Sequence, residues 1–119
     1  PDSSARRGAV VALRRQRARE LTTYLEDADP QVQLEAVRAI HDLPITEGYP
    51  AIAALTAQPG LPEETLRRAI NANFRLGTSE HAAAVARLAA SESAAEAVRL
   101  EAVAALNDWN KPIVLDRYL

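Results

Sequence analysis

Histidine is the side chain most often used for proton transfer near neutral pH, and this sequence has two, His41 and His81. They lie 40 residues apart, and neither belongs to the HExxH pattern that holds zinc on a helix. His41 and Asp42 are sequence neighbours, so on a helix their side chains point about 100° apart. A catalytic dyad is therefore not expected here.

Other chemistries need residues that this sequence lacks. It has no cysteine, which excludes a thiolate metal site and covalent haem attachment within these residues. It has no GxGxxG or GxSxG pattern. The adjacent carboxylates Glu63 and Glu64 suit the first turn of a helix, where negative charge is favourable. We therefore predict no catalytic, cofactor-binding or metal site, and no enzymatic activity.

The first 20 residues are rich in arginine although the whole chain has a formal net charge of −2. No aromatic side chain lies among these arginines to stack on nucleic-acid bases. We interpret them as a solvated helix face, or as a contact to a preceding segment, and we expect no nucleic-acid partner. They are Arg6, Arg7, Arg14, Arg15, Arg17 and Arg19.

One hexapeptide occurs almost twice: residues 32–37 read VQLEAV, and residues 98–103, 66 positions later, read VRLEAV. Midway, residues 65–70 read TLRRAI, so the period is 33 and alanine recurs at Ala36, Ala69 and Ala102. A period of about 20–50 residues indicates stacked units that bury their apolar faces only against each other. A small side chain at the shared position would let paired helices approach closely.

Each unit is predicted to contain two helices and no strand, because apolar residues follow three-four spacing. Asp29 and Pro30 are typical of a helix start, and Pro44 and Gly77 of helix ends. The first helices are predicted at about 5–26, 49–57 and 79–91, and the second at about 29–43, 63–77 and 93–109. A short last helix could follow Pro112.

Charged residues recur at two positions of the second helices. The first set is Glu35, Arg68 and Glu101, and the second is Asp42, Arg75 and Asp108. If these helices lie side by side, each set forms a row of alternating sign, and we predict an inter-repeat ladder of salt bridges in each row. An exposed pair contributes only about 0–1 kcal/mol, so the ladders would fix register more than stability. The alternative is a charged recognition surface.

Two residues depart from the repeat. Asn73 takes an apolar core position, so its amide is expected to bond to a neighbouring loop or helix end and to fix the register; a ligand-binding role is the alternative. Trp109 replaces leucine at the end of the second helix of the third unit. It is expected in the core, or as cover for the open end or a following domain.

The second helices resemble those of HEAT-like repeats. Asp29 and Pro30 precede a helix rich in valine and alanine, whereas the ankyrin TPLHxA and tetratricopeptide WxxLGxxY patterns are absent. The 33-residue unit is shorter than the usual HEAT unit of about 40–47 residues. It is similar to the short, PBS-lyase-type HEAT variants.

A narrower resemblance involves residues 35–45 and 67–77, the latter reading RRAINANFRLG, together with Trp109, Pro112 and Asp116-Arg117. These look like the HEAT segment of large extracytoplasmic haem-binding, sugar-dehydrogenase-like proteins of planctomycetes and their relatives. In that family a β-propeller precedes the helical segment, and a cytochrome c module with a CxxCH motif follows it. The resemblance implies a spacer or docking scaffold between redox modules, in a periplasmic or extracytoplasmic location.

We therefore expect residues 1–119 to form one all-α, HEAT-like solenoid domain of about three helical hairpins, as a piece of a longer multidomain protein. Its expected function is non-catalytic docking of a protein or neighbouring domains, with no membrane span and no cofactor in this segment. Its exposed ends could also dimerise. The alternatives are a DNA-binding or base-excision HEAT protein and a bilin lyase-type HEAT protein. The expected contacts on the concave surface are Gln33, Arg38, Arg68, Asn71, Arg75 and Asn107.

Overall fold

Helices joined by short turns form nearly all of the chain that the structure, a computed structural model, describes: residues 2–15, 19–43, 45–58 and 60–109. The α-helices of this part are α1 (Ser3–Arg15), α2 (Pro30–Asp42), α3 (Tyr49–Ala54), α4 (Glu63–Leu76), α5 (Ser79–Ala89) and α6 (Glu96–Asn107). The 3₁₀ segments are Arg19–Glu26, Thr46–Gly48 and Leu55–Ala57. None of the described residues is in a strand, so the predicted all-α class is confirmed.

The second helix of each predicted unit begins where the period requires. Helices α2, α4 and α6 begin at residues 30, 63 and 96, which are 33 apart. Asp29 caps α2, because its Oδ1 accepts a hydrogen bond from the backbone N–H of Gln31 at 2.8 Å. Gly77 ends α4 with a φ of 74°, a left-handed conformation that glycine adopts without steric cost. The start signal at Asp29 and the stop signal at Gly77 therefore act as predicted, whereas Pro44 lies outside the described residues.

The first helices are shorter than predicted. The expected helix 5–26 consists of α1 and the 3₁₀ segment Arg19–Glu26, with residues 16–18 outside the described ones. The expected helix 49–57 is α-helical only to Ala54 and continues as 3₁₀. Both 3₁₀ turns tighten the chain where it must reverse toward the next helix.

Helix α6, the second helix of the third unit, also differs from its predicted bounds. It begins at Glu96 rather than near residue 93, because a turn precedes it in which the Ala94 N–H donates to the Ser91 carbonyl at 3.3 Å. It ends at Asn107. The short helix predicted after Pro112 lies outside the described residues.

Helix α4 lies at the centre of the packing. It contacts α2 on one side and α6 on the other, and it is itself packed against α3 and α5. Its Ala69 and Ala72 belong to a core cluster shared with α1, α2 and α3. Its Leu66, Ile70 and Phe74 belong to a second cluster shared with α5 and α6. One helix therefore closes both cores, so changes in α4 are felt on both sides.

The alanine that recurs in the repeat is buried in every unit. Ala36, Ala69 and Ala102 each have an exposed fraction of 0%. The first two belong to the first core cluster and the third to the second cluster. All three positions therefore match the predicted role of a small residue between packed helices.

A chain of polar contacts ties α1 to the start of α2. The Arg6 Nε donates to Asp27 Oδ2 at 2.6 Å, and the Asp29 N–H donates to Asp27 Oδ1 at 2.8 Å. The Asp29 backbone N–H lowers the pKa of Asp27, and Arg6 lowers it further. The Gln31 N–H that Asp29 caps lowers the pKa of Asp29 in the same way. Asp27 and Asp29 are thus stabilised in their charged forms, in which they hold the segment that leads into α2.

Threonine replaces valine at one core position of the central unit. Val32, Thr65 and Val98 are spaced by 33 and all are buried, but Thr65 Oγ1 makes no hydrogen bond. A buried polar group without a partner costs roughly 1–3 kcal/mol. We expect Thr65→Val to raise the free energy of unfolding by about 1 kcal/mol, measured by urea denaturation.

The matched control for this change is Thr56→Val. Thr56 Oγ1 donates to the Ala53 carbonyl at 3.1 Å, so removing it should lower the free energy of unfolding. If both variants shifted the urea midpoint in the same direction, the explanation from the unpartnered hydroxyl would be wrong.

Candidate functional site

The predicted interaction surface is only partly exposed. Gln33 and Asn71 are 4% and 1% exposed, so the prediction that they are surface contacts is wrong. Gln33 Nε2 instead donates to the Leu25 carbonyl at 2.8 Å and ties α2 to the preceding 3₁₀ segment. Burial of the Gln33 amide is acceptable because this hydrogen bond replaces water.

The remaining predicted contacts reach solvent to different extents. Asn107 is exposed, whereas Arg38, Arg68 and Arg75 are half-buried. Arg68 Nη1 donates to the Glu64 carbonyl of its own helix at 3.2 Å. We call the polar side chains of α2, α4 and α6 that reach solvent, among them Asn107, Arg38, Arg68 and Arg75, the second-helix face.

Ion pairs do bridge neighbouring second helices, but they are not the residue pairs of the predicted first row. Arg38 of α2 pairs with Glu64 of α4 and, at 3.0 Å, with Glu35 of its own helix. Arg67 of α4 lies 3.9 Å from Glu101 of α6. Arg68, the predicted central member of the row, instead donates a hydrogen bond to the backbone carbonyl of Glu64. The α2–α4 and α4–α6 contacts are each spanned by an arginine–glutamate pair, as a ladder would require.

The second predicted row, which is Asp42, Arg75 and Asp108, stays a prediction. Arg75 Nη1 donates a hydrogen bond to the hydroxyl of Tyr49 of α3 at 3.2 Å. The guanidinium carbon lies 5.7 Å from the centroid of the Tyr49 ring. Arg75 therefore links the two helices of the central hairpin.

The two histidines lie on different helices, α2 and α5. His41 is buried in α2, and His81 Nδ1 lies 2.6 Å from Thr78 Oγ1 at the start of α5. Thr78 Oγ1 also accepts from the His81 N–H at 3.3 Å, so this pair caps α5. No cluster of three or more His, Cys, Asp or Glu that could hold a metal ion occurs among the described residues.

Asn73 is held as predicted. It is 1% exposed, and its Nδ2 donates to the Ala53 carbonyl at 3.1 Å and to the Ala69 carbonyl at 2.8 Å. Ala53 lies where α3 changes to a 3₁₀ segment, and its carbonyl accepts from Thr56 Oγ1 as well as from Asn73. Asn73 therefore fixes the position of α4 relative to the end of α3.

Trp109 covers the end of α4. Its ring meets Phe74 edge to face, with centroids 5.4 Å apart and planes at 88°, and its Nε1 donates to the Gly77 carbonyl at 3.3 Å. It is partly buried against the second core cluster. The contact joins the ends of α4 and α6.

A cavity of about 520 Å³ opens between the central and last hairpins, and the sequence analysis did not predict it. Its apolar wall includes Leu61, Leu66, Leu88 and Val98, and Arg87 lies among its lining residues. The cavity exists because small side chains of α5 and of both linkers meet there. These are Ala57, Gly60, Ala84, Ser91, Ser93, Ala94 and Ala95. Of the alanines of α5 only Ala84 lines the cavity, so no signal within a single segment could have suggested it.

Two large apolar residues of α6 face solvent. Leu100 is 61% exposed and Val103 is 46% exposed. The period aligns Val103 with Ile70 and Val37, which are fully buried in α4 and α2. The position that is buried in α2 and α4 is therefore exposed in α6, and dimerisation through this face stays a prediction.

Among the described residues, no helix combines the length and the apolar character needed to cross a membrane. A scan against protein-family models and searches of curated proteins and of solved structures found no match to this chain.

Proposed function

We propose that this chain is a short HEAT-like solenoid of three helical hairpins and that it acts as a non-catalytic scaffold for docking a protein or neighbouring domains. The observation that carries this proposal is the 33-residue spacing of α2, α4 and α6 together with the position of α4 between the other two. Units of this kind stack into an extended surface, which is what scaffold proteins use for binding.

The charges on the second-helix face favour a protein partner over nucleic acid. Glutamates alternate with arginines there, as in the pairs Arg38–Glu64 and Arg67–Glu101. A nucleic-acid groove needs an excess of positive charge to replace the counterions of the phosphates. The mixed face therefore supports docking rather than the DNA-binding or base-excision alternative.

The bilin lyase-type alternative rests on the cavity between the last two hairpins. That site would need several convergent polar groups to orient a large chromophore with two carboxylates. Of its charged lining residues, Glu63 and Arg87, only the arginine has the sign to meet a carboxylate. A bilin titration followed by absorbance, with no spectral shift, would remove this alternative.

We further propose that the parent is an extracytoplasmic haem-binding, dehydrogenase-like protein in which this segment lies between redox modules. The support is the resemblance of residues 67–77 and 35–45 to such segments. The parent proposal predicts that the reading frame around residues 1–119 encodes a β-propeller before them and a CxxCH motif after them. A frame with neither feature would reject this parent and leave the general scaffold proposal.

Docking can be tested by titrating the chain with each flanking domain in a calorimeter. We expect one of these domains to bind, and Arg68→Glu to weaken binding about tenfold because it reverses a charge on the second-helix face. Glu80→Arg, which reverses an exposed charge on α5, is the control and should leave the affinity unchanged. Absence of binding by both flanking domains would contradict interdomain docking.

A further inference from the structure

The cavity between the last two hairpins has the size and lining of a small-molecule site. Its volume of about 520 Å³ falls within the range of about 300–1,000 Å³ typical of ligand pockets. Three of its wall residues, Leu66, Leu88 and Val98, are at least nine-tenths buried members of the second core cluster. The cavity is therefore an opening into the core rather than a dent in a polar surface.

The polar groups of the cavity are mostly satisfied within the chain. Glu63 Oε1 lies 3.6 Å from Arg67 Nη1, and the hydroxyls of Ser91 and Ser93 lie 2.9 Å apart. Thr56 donates to a backbone carbonyl. A ligand would find few hydrogen-bond partners here, so its main contact must be apolar.

One charge on the wall of the cavity is left over. Arg87 is exposed, and within the described part of the chain no carboxylate lies at ion-pair distance from it. The acidic residue of the lining, Glu63, is already paired with Arg67. The partial positive charges at the starts of α4 and α6 are likewise balanced by first-turn glutamates. Arg87 therefore favours a ligand with a negative charge.

From the apolar wall and this single uncompensated cation, we propose that the cavity binds a small amphipathic monocarboxylate of the medium-chain fatty-acid class. The hydrocarbon chain lies against Leu66, Leu88 and Val98, and the carboxylate lies at Arg87. This ligand site is additional to the docking function and does not depend on it. Absence of ligand binding would leave the docking experiment above unaffected.

The direct test is calorimetric titration of the chain with sodium decanoate, 1-decanol and decyltrimethylammonium, all below their micelle concentrations. We expect decanoate to bind at least tenfold more tightly than the alcohol, and the cation to bind most weakly. In the series hexanoate, octanoate and decanoate, each added methylene should tighten binding about fourfold. No decanoate binding, or equal binding of all three head groups, would overturn the proposal.

Two pairs of variants locate the site. Arg87→Gln should weaken decanoate about tenfold and leave the alcohol unchanged, whereas Arg7→Gln on α1 should change neither. Ala84→Phe should fill the cavity and abolish binding of both compounds, whereas Ala83→Phe, at an exposed neighbouring position, should not. If Ala84→Phe fails to fold by circular dichroism, Ala94→Leu in the linker replaces it. Full decanoate binding by the filled variant would place the ligand elsewhere and overturn the proposal.

Discussion

Replacement of Asn73 by alanine is expected to lower the free energy of unfolding by about 2–3 kcal/mol. The amide donates to the carbonyls of Ala53 and Ala69, and the side chain is fully enclosed between α3 and α4. Its removal takes away one donor of a buried carbonyl and leaves a void. Urea denaturation followed by circular dichroism measures the change.

Asn71 supplies an unusually close control. It lies two residues before Asn73 in the same helix. It is 1% exposed, and its Oδ1 makes no hydrogen bond. Asn71→Ala removes the same atoms and gains the same helix propensity, so the difference between the variants measures the two hydrogen bonds of Asn73. We expect Asn71→Ala to cost less than half as much. Equal losses would mean that Asn73 does not fix the register.

Asn73→Asp makes a still sharper test. It keeps the shape of the side chain but replaces the amide donor by a carboxylate that can only accept. A buried carboxylate facing two carbonyl oxygens is repelled by both, so we expect a larger loss than for alanine at pH 7. A loss smaller than that of alanine would show that the hydrogen bonds to the carbonyls are not what Asn73 contributes.

The repeat could be predicted because its signals are residue types at fixed sequence offsets and at helix ends. The alanines recur at a fixed offset, Asp29 and Pro30 are typical of a helix start, and Pro62 precedes α4, so the starts of α2 and α4 follow from the residues themselves. The change from α to 3₁₀ geometry at Leu55 could not be predicted in this way. The Ala53 carbonyl at this junction accepts from Asn73, which is 20 residues away in the sequence, as well as from Thr56 nearby.

The candidate surface was harder to predict because it depends on how each helix is rotated. The period correctly suggests that arginines meet glutamates between units, but packing turns Arg67 rather than Arg68 toward Glu101. Gln33 is buried because its partner is a backbone carbonyl, and no pattern of side chains signals that. The cavity arises where small residues from α5 and two linkers meet, so no single segment carries its signature.

Leucine at the shared alanine position is expected to lower the free energy of unfolding by about 1–3 kcal/mol in each unit. Ala36, Ala69 and Ala102 are fully buried between packed helices, so three added carbons must push a helix away or force strained rotamers. Ala69 should show the largest loss, because α4 is packed against helices on both sides. The measurement is the urea midpoint of each variant at an unchanged denaturant slope.

Ala97→Leu is the control because Ala97 is exposed on α6, the helix that also carries Ala102. It has the same change in volume and helix propensity, so its free energy of unfolding should change by less than about 0.5 kcal/mol. If the three buried positions are equivalent, Ala36→Leu and Ala102→Leu should cost similar amounts although they lie in different core clusters. A large loss at one of them and none at the other would mean that the units share a sequence pattern without sharing a packing geometry, and the solenoid would have to be abandoned.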